Sequence, residues 1–178
     1  MQRVEQVASR LVDKGAILLR EKDLPESEYG RLADECKRIA DAYHIPLLVH
    51  TYPEVAQRLH TPLHLSMPQL RQIPRASLPT VWGVSVHSAG EAQEAQGMGA
   101  CYVIAGHIFS TDCKKGVPPR GLAFLREVTN SVSIPVYAIG GITVENSGEV
   151  FAAGAAGVCM MSQWMAGDLH AQNLPNQQ

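Results

Sequence analysis

The stretch IPVYAIGGITVENSGEVFAAGAAGVCMMS, residues 134–162, decides the fold. Ile134-Pro135 leads into an apolar run, residues 135–141, too short for a helix and closed by Gly140-Gly141. A second run, residues 157–162, follows the helix-ending Ala153-Gly154-Ala155. Both runs are nearly continuously apolar instead of alternating in and out, the signature of parallel strands buried on both faces. Strand, helix and parallel strand make a right-handed βαβ unit.

The same grammar repeats outward. KGAILL and MGACYVI carry the Gly-Ala junction of AGAAGVCMM, and glycine closes helices in the left-handed conformation. HIPLLVH repeats the Ile-Pro entry, where proline at a strand's start costs no ladder bond. Further short runs are AILLR, PLLVH (46–50), LHL (63–65), VWGVSVH (81–87) and YVIAG (102–106). Between them, Val4, Val7, Ala8, Leu11 and Val12 follow helical spacing. So do Tyr29, Leu32, Ala33, Cys36, Ile39, Ala40 and Tyr43, behind Pro25 and the acidic Glu26 and Glu28.

Seven strands alternating with helices fit a doubly wound sheet or a TIM barrel. No GxGxxG follows the first strand, which favours the barrel. The expectation is an α/β chain, a (βα)8 TIM barrel forming one domain over residues 1–178, without its first strand and with a shortened last helix. The chain opens inside its first helix, and its tail, LHAQNLPNQQ, is short and polar. Its 178 residues also fall below the roughly 200 at the low end of such barrels.

Composition excludes several classes. With 46% apolar and 18% charged residues the chain is globular, and no apolar stretch approaches the ~20 residues of a membrane helix. MQRVEQVASR offers no signal-peptide core. A net charge of −2 leaves no electrostatic footprint for nucleic acid. Cys36, Cys101, Cys113 and Cys159 form no CxxC pair, which suits reduced thiols in the cytoplasm.

In a barrel the carboxyl ends of the strands form the active face. Here they carry Arg20, His50, His64, Ser85 with His87, His107, Gly140 with Gly141, and Ser162. Any one histidine fits a core imidazole bonded to a carbonyl; the set fits a site. Gly140-Gly141 suits either a tight turn or a phosphate cradle of unobstructed N–H groups.

The series LLREKDL (18–24), GVSVHS (83–88), GHIFSTDCKKG (106–116), IPVYAIGGIT (134–143) and AGAAGVCMMS (153–162) resembles the thiamine phosphate synthase and TenI superfamily. The synthase of that superfamily joins a pyrimidine diphosphate to a thiazole phosphate and uses magnesium. Arg20 and Lys22 match its second-strand pattern, with Leu18 in place of glutamine. Its metal-binding aspartates fall where this chain has His50-Thr51-Tyr52 and Ser66-Met67-Pro68-Gln69. Its glycine-proline on the sixth strand falls at Gly106-His107, and that run resembles the thiazole tautomerase branch.

The resemblance therefore implies a thiazole tautomerase, an isomerase moving a proton to aromatise a carboxythiazole phosphate. His107 would be the acid and base, and Arg20, Lys22, Ser85 and Lys114 would bind substrate. Gly140, Gly141, Met161 and Ser162 would hold the phosphate. The expected partner is this small molecule, with no metal, cofactor, nucleic acid or membrane and with a possible homo-oligomer. The alternatives are a thiamine phosphate synthase, which is a transferase, and a non-catalytic barrel that binds thiazole phosphate.

Overall fold

A computed structural model describes residues 1–11 and 15–166. Within it the chain divides into two compact units, Met1–Trp82 with a short segment starting at Trp164, and Gly83–Gln163.

The first unit runs α1 (Gln2–Leu11), β1 (Ile17–Leu19), α2 (Glu26–Ala42), β2 (Leu47–His50), α3 (Pro53–Leu59), β3 (Leu63–Ser66) and α4 (Met67–Leu70). β1 pairs parallel with β2 in the register Leu19↔Val49, and β2 with β3 as His50↔His64. Proline at the strand entry behaves as expected, because the Pro46 carbonyl accepts the first ladder bond from Ile17 N–H. α2 follows Pro25, has acidic residues in its first turn and buries Tyr29, Ala33, Cys36 and Ala40. That stripe meets a core containing Val49, Ala56, Leu63 and Leu65, all fully buried.

The second unit runs β4 (Trp82–Val86), α5 (Ala89–Gly97), β5 (Tyr102–Gly106), α6 (Gly121–Ser131), β6 (Val136–Ile139), α7 (Val144–Ala152) and β7 (Gly157–Cys159), and α8 (Ser162–Ala166) starts in it and passes to the first unit at Trp164. β4 pairs with β5, β5 with β6 and β6 with β7, all parallel. The whole of β5 is buried, as its unbroken apolar sequence requires.

In each unit consecutive strands are sheet neighbours, with no reversal of order. The α/β class is borne out: among the described residues seven parallel strands alternate with helices, the (βα) order of a TIM barrel with one strand fewer. The glycine junctions divide. Gly99 and Gly154 are left-handed, with φ of 93° and 91°. At Gly15 a Cβ would lie 2.7 Å from Leu11 Cδ2, a close approach that glycine permits. The last apolar run breaks earlier than expected: β7 stops at Cys159 and Ser162 begins α8. The tail and Val12 lie outside the described residues.

Candidate functional site

In the first unit, the strand ends are joined by a side chain that sequence periodicity assigns only to a helix core. Tyr29 is fully buried, and its Oη donates to the Leu19 carbonyl at 2.8 Å. It also accepts the His50 N–H at 2.8 Å, tying the last residue of β1 to the last of β2. Burial pushes its phenol up to about 12, so it remains a neutral donor. Tyr52 stacks obliquely on it, ring centres 4.9 Å apart, and donates to the Leu24 carbonyl.

Arg20 follows Leu19, whose partner is Val49, so the register aligns Arg20 with His50 and His50 with His64. The two imidazoles are buried with ring centres 5.6 Å apart. Burial lowers His50 to about 4, helped by the positive charges of Arg20 and Lys22. Burial also lowers His64 to about 3, with His50 and Arg20 adding to it. Both are neutral at physiological pH. Arg20 and Lys22 themselves are exposed.

Thr51 turns out of β2 with φ of 77°, a left-handed conformation rare for a β-branched residue. Three contacts hold it there. Its N–H donates to the His64 carbonyl at 3.0 Å. Its hydroxyl accepts from Gln69 Nε2 at 3.2 Å and lies against His50 Nδ1. The Thr51 hydroxyl thus bridges the Gln69 amide and the His50 imidazole. The Gln69 Oε1 atom accepts from both the N–H and the hydroxyl of Ser66. Beside this chain of bonds lies a cleft lined in part by Thr51, Glu54, Gln69 and Gln72.

The second unit builds its strand ends from backbone. Gly140 and Gly141 have φ of 103° and 63°. A Cβ on Gly140 would lie 2.3 Å from His107 Cβ, and one on Gly141 would lie 2.3 Å from the Ser110 carbonyl oxygen. The loop after β5 is laced to them, with Ile108 N–H donating to the Ile139 carbonyl and Phe109 N–H to that of Gly140. His107 is buried, and its Nε2 donates to the Val117 carbonyl at 3.2 Å. Its own carbonyl accepts from Arg120 N–H, so the residue closes the 107–120 loop at both ends. His87 Nδ1 donates to the Gly106 carbonyl at 2.7 Å, and its N–H donates to Glu91.

Of the residues singled out from sequence, the structure brings His107 against Gly140, while Gly141 lies against Ser110 and Phe109. Ser85 is half-buried in β4, aligned with Ile104 of β5. Lys114 is exposed on a 3-10 turn, Asp112–Lys114, which also carries the exposed Cys113. Met161 is 62% exposed, and Ser162 opens a five-residue helix. No helix among the described residues is long and apolar enough to cross a membrane.

A family model described as thiamine monophosphate synthase matches residues 1–164. The chain belongs to that family. Thiamine-phosphate synthase 2 of Streptococcus pneumoniae is 34% identical over 161 residues, covering 88% of this chain and 77% of that protein. The thiamine-phosphate synthase of Clostridium acetobutylicum is 33% identical over 162 residues, covering 89% and 75%. A solved thiamine phosphate pyrophosphorylase from Pyrococcus furiosus superposes with a TM-score of 0.78 at 28% identity, over 97% of this chain and 84% of that one.

These likenesses overturn the tautomerase expectation and its isomerase class. The relatives are synthases, and their resemblance spans the chain, whereas the tautomerase reading leaned on the run after β5. The geometry gives a physical reason for the error. An imidazole beside two lysines and a thiol looks chemical in sequence, yet Nε2 of His107 is engaged in closing its own loop.

The family also implies magnesium, and the donors at the ends of β2 and β3 do not fit it. Mg²⁺ takes hard oxygen ligands and is bound through one or two carboxylates. Here the corresponding positions offer neutral imidazole, hydroxyl and amide groups, and both Thr51 Oγ1 and Gln69 Oε1 are already engaged. The carboxylate lining the cleft, Glu54, is exposed in the first turn of α3. No three His, Cys, Asp or Glu side chains among the described residues are placed to share an ion.

Proposed function

We propose that this protein is a transferase of the thiamine-phosphate synthase type. It joins the methylene carbon of a pyrimidine diphosphate to the ring nitrogen of a thiazole phosphate. The carbon–nitrogen bond forms as the carbon–oxygen bond to the diphosphate breaks, and pyrophosphate leaves. The observation that carries this reading is the 34% identity to a thiamine-phosphate synthase along 88% of the chain. The retained Arg20 and Lys22 support the diphosphate side, and the close-packed Gly140-Gly141 turn supports the phosphate side. There Gly140, Gly141, Met161 and Ser162 bound the thiazole phosphate, with His107 and Ser85 as wall residues and Lys114 on the rim. Arg20 meets the leaving anion through a bidentate fork, the geometry guanidinium offers to phosphate.

The test is complementation of a thiamine auxotroph lacking its own synthase. Growth without thiamine is expected from the wild-type chain and is expected to be impaired by Arg20→Ala. No growth despite soluble, folded protein contradicts the transferase reading. The neutral donors at Thr51 and Gln69 favour one competitor, a barrel that binds thiazole phosphate without turnover. That competitor predicts thiazole phosphate binding together with failed complementation.

A further inference from the structure

We infer that the row formed by Arg20, His50 and His64 at the ends of β1, β2 and β3 is a subsite that binds the diphosphate group directly, without a divalent cation. The inference rests on the transferase reading for its ligand, but its physical basis is the row itself.

Three observations converge. First, the register places the three residues side by side on adjacent strands, and Tyr29 locks the two strand ends that set the spacing of Arg20 and His50. Second, the groups that could have held a hard cation are spent on one another. Thr51 receives Gln69 and faces His50, while Gln69 Oε1 takes both donors of Ser66. Third, the row is cationic at one end and neutral at the other, with no carboxylate among its members. A doubly charged anion brought here meets a guanidinium beside neutral imidazoles instead of the carboxylates of a metal site. Thr51 retains a left-handed backbone in place of relaxing, which is the kind of strain that persists at functional positions. It holds the hydroxyl between Gln69 Nε2 and His50 Nδ1, which fixes the orientation of the imidazole in the row.

In a carboxylate-lined site the same anion would need a bridging metal, because carboxylate and phosphate repel. Replacing carboxylates by neutral groups removes that need while leaving the arginine in place. The exchange is coherent: the metal's ligands and the repulsion that made the metal necessary are lost together.

The experiment is calorimetric titration of inorganic pyrophosphate into the full chain near pH 7.5, once with EDTA and once with excess Mg²⁺. Saturable binding in EDTA is expected, no tighter when Mg²⁺ is supplied. Arg20→Ala should weaken it about tenfold or more, as loss of a charge-assisted contact does. Arg20→Lys should fall between, since a point charge cannot replace the fork. Glu54→Gln should leave binding unchanged. Binding that appears only with Mg²⁺, binding absent in both buffers, or an unaffected Arg20→Ala variant each overturns the inference.

Failure of the transferase reading is separable. Pyrophosphate bound in EDTA with no carbon–nitrogen joining keeps the subsite and removes the reaction. Joining with strictly Mg²⁺-dependent pyrophosphate binding does the reverse.

Discussion

The two units finish their strands in opposite ways. In the first, the ends of β1–β3 are organised by side chains: Tyr29 spans two strands, Thr51 and Gln69 share a hydroxyl, and two imidazoles pack together. In the second, the ends of β5 and β6 are organised by backbone, with Gly140 and Gly141 lying against residues 107–110 at distances no side chain allows. A side-chain site can change its chemistry by substitution while its strands stay put. A backbone site cannot, because what it needs is the absence of a Cβ. This is why the chain departs from the synthase pattern at Thr51 and Gln69 yet keeps it at Gly140-Gly141.

The largest effect that can break this contrast is at Gly140. Alanine there adds a Cβ 2.3 Å from His107 Cβ at a φ of 103°. Gly140→Ala should cost about 4 kcal/mol or leave the protein insoluble, as judged by urea unfolding. A stability within 1 kcal/mol of wild type (about the scatter of surface substitutions) would mean the backbone contact is not tight.

A smaller effect belongs to the histidine pair. Unfolded imidazoles titrate near 6.5, whereas burial holds His50 at about 4 and His64 at about 3. Between these values the unfolded chain binds more protons. Stability fully present above pH 6.5 is therefore lost as pH falls toward 4, by about 3 kcal/mol from His50 alone. Urea midpoints at pH 7 and pH 4.5 should fall steeply for wild type and less steeply for His50→Gln. Equal slopes would show that His50 does not titrate differently on unfolding.

Tyr29→Phe comes next, because it strands the His50 N–H and removes the donor to Leu19. About 2 kcal/mol should be lost, and pyrophosphate binding should weaken with the loss of register between Arg20 and His50. A loss of stability with unchanged binding would confine Tyr29 to packing.

The smallest effect is Thr51→Gly. Relief of the left-handed φ and loss of the hydroxyl's contacts oppose each other, and the net change should stay within about 1 kcal/mol. A large stabilisation would mean the hydroxyl contacts contribute little.

The strands were legible because burial on both faces writes an uninterrupted apolar run, and all seven run where such runs stand. Ile-Pro entries were legible for the same local reason, and Pro46 and Pro135 carbonyls accept ladder bonds from Ile17 and Val103. Gly140-Gly141 could be read as special, but not what pressed on it, since His107 is 33 positions away in the chain by its number. Tyr29 was invisible as a clamp because its ring satisfies helical periodicity on its own; the one signal was a hydroxyl on a buried stripe. His107 misled because a sequence displays a functional group without its hydrogen-bond partner. The Val117 carbonyl that accepts its Nε2–H belongs to a loop whose path no periodicity encodes.

The most direct measurement is the reaction itself. The purified chain is mixed with the pyrimidine diphosphate and the thiazole phosphate, and products are followed by mass spectrometry with phosphorus NMR for pyrophosphate. The expected result is one joined product for each pyrophosphate released, with loss of turnover in Arg20→Ala. Unchanged substrates in every buffer, with the protein folded and binding thiazole phosphate, would contradict a transferase and leave a binding protein.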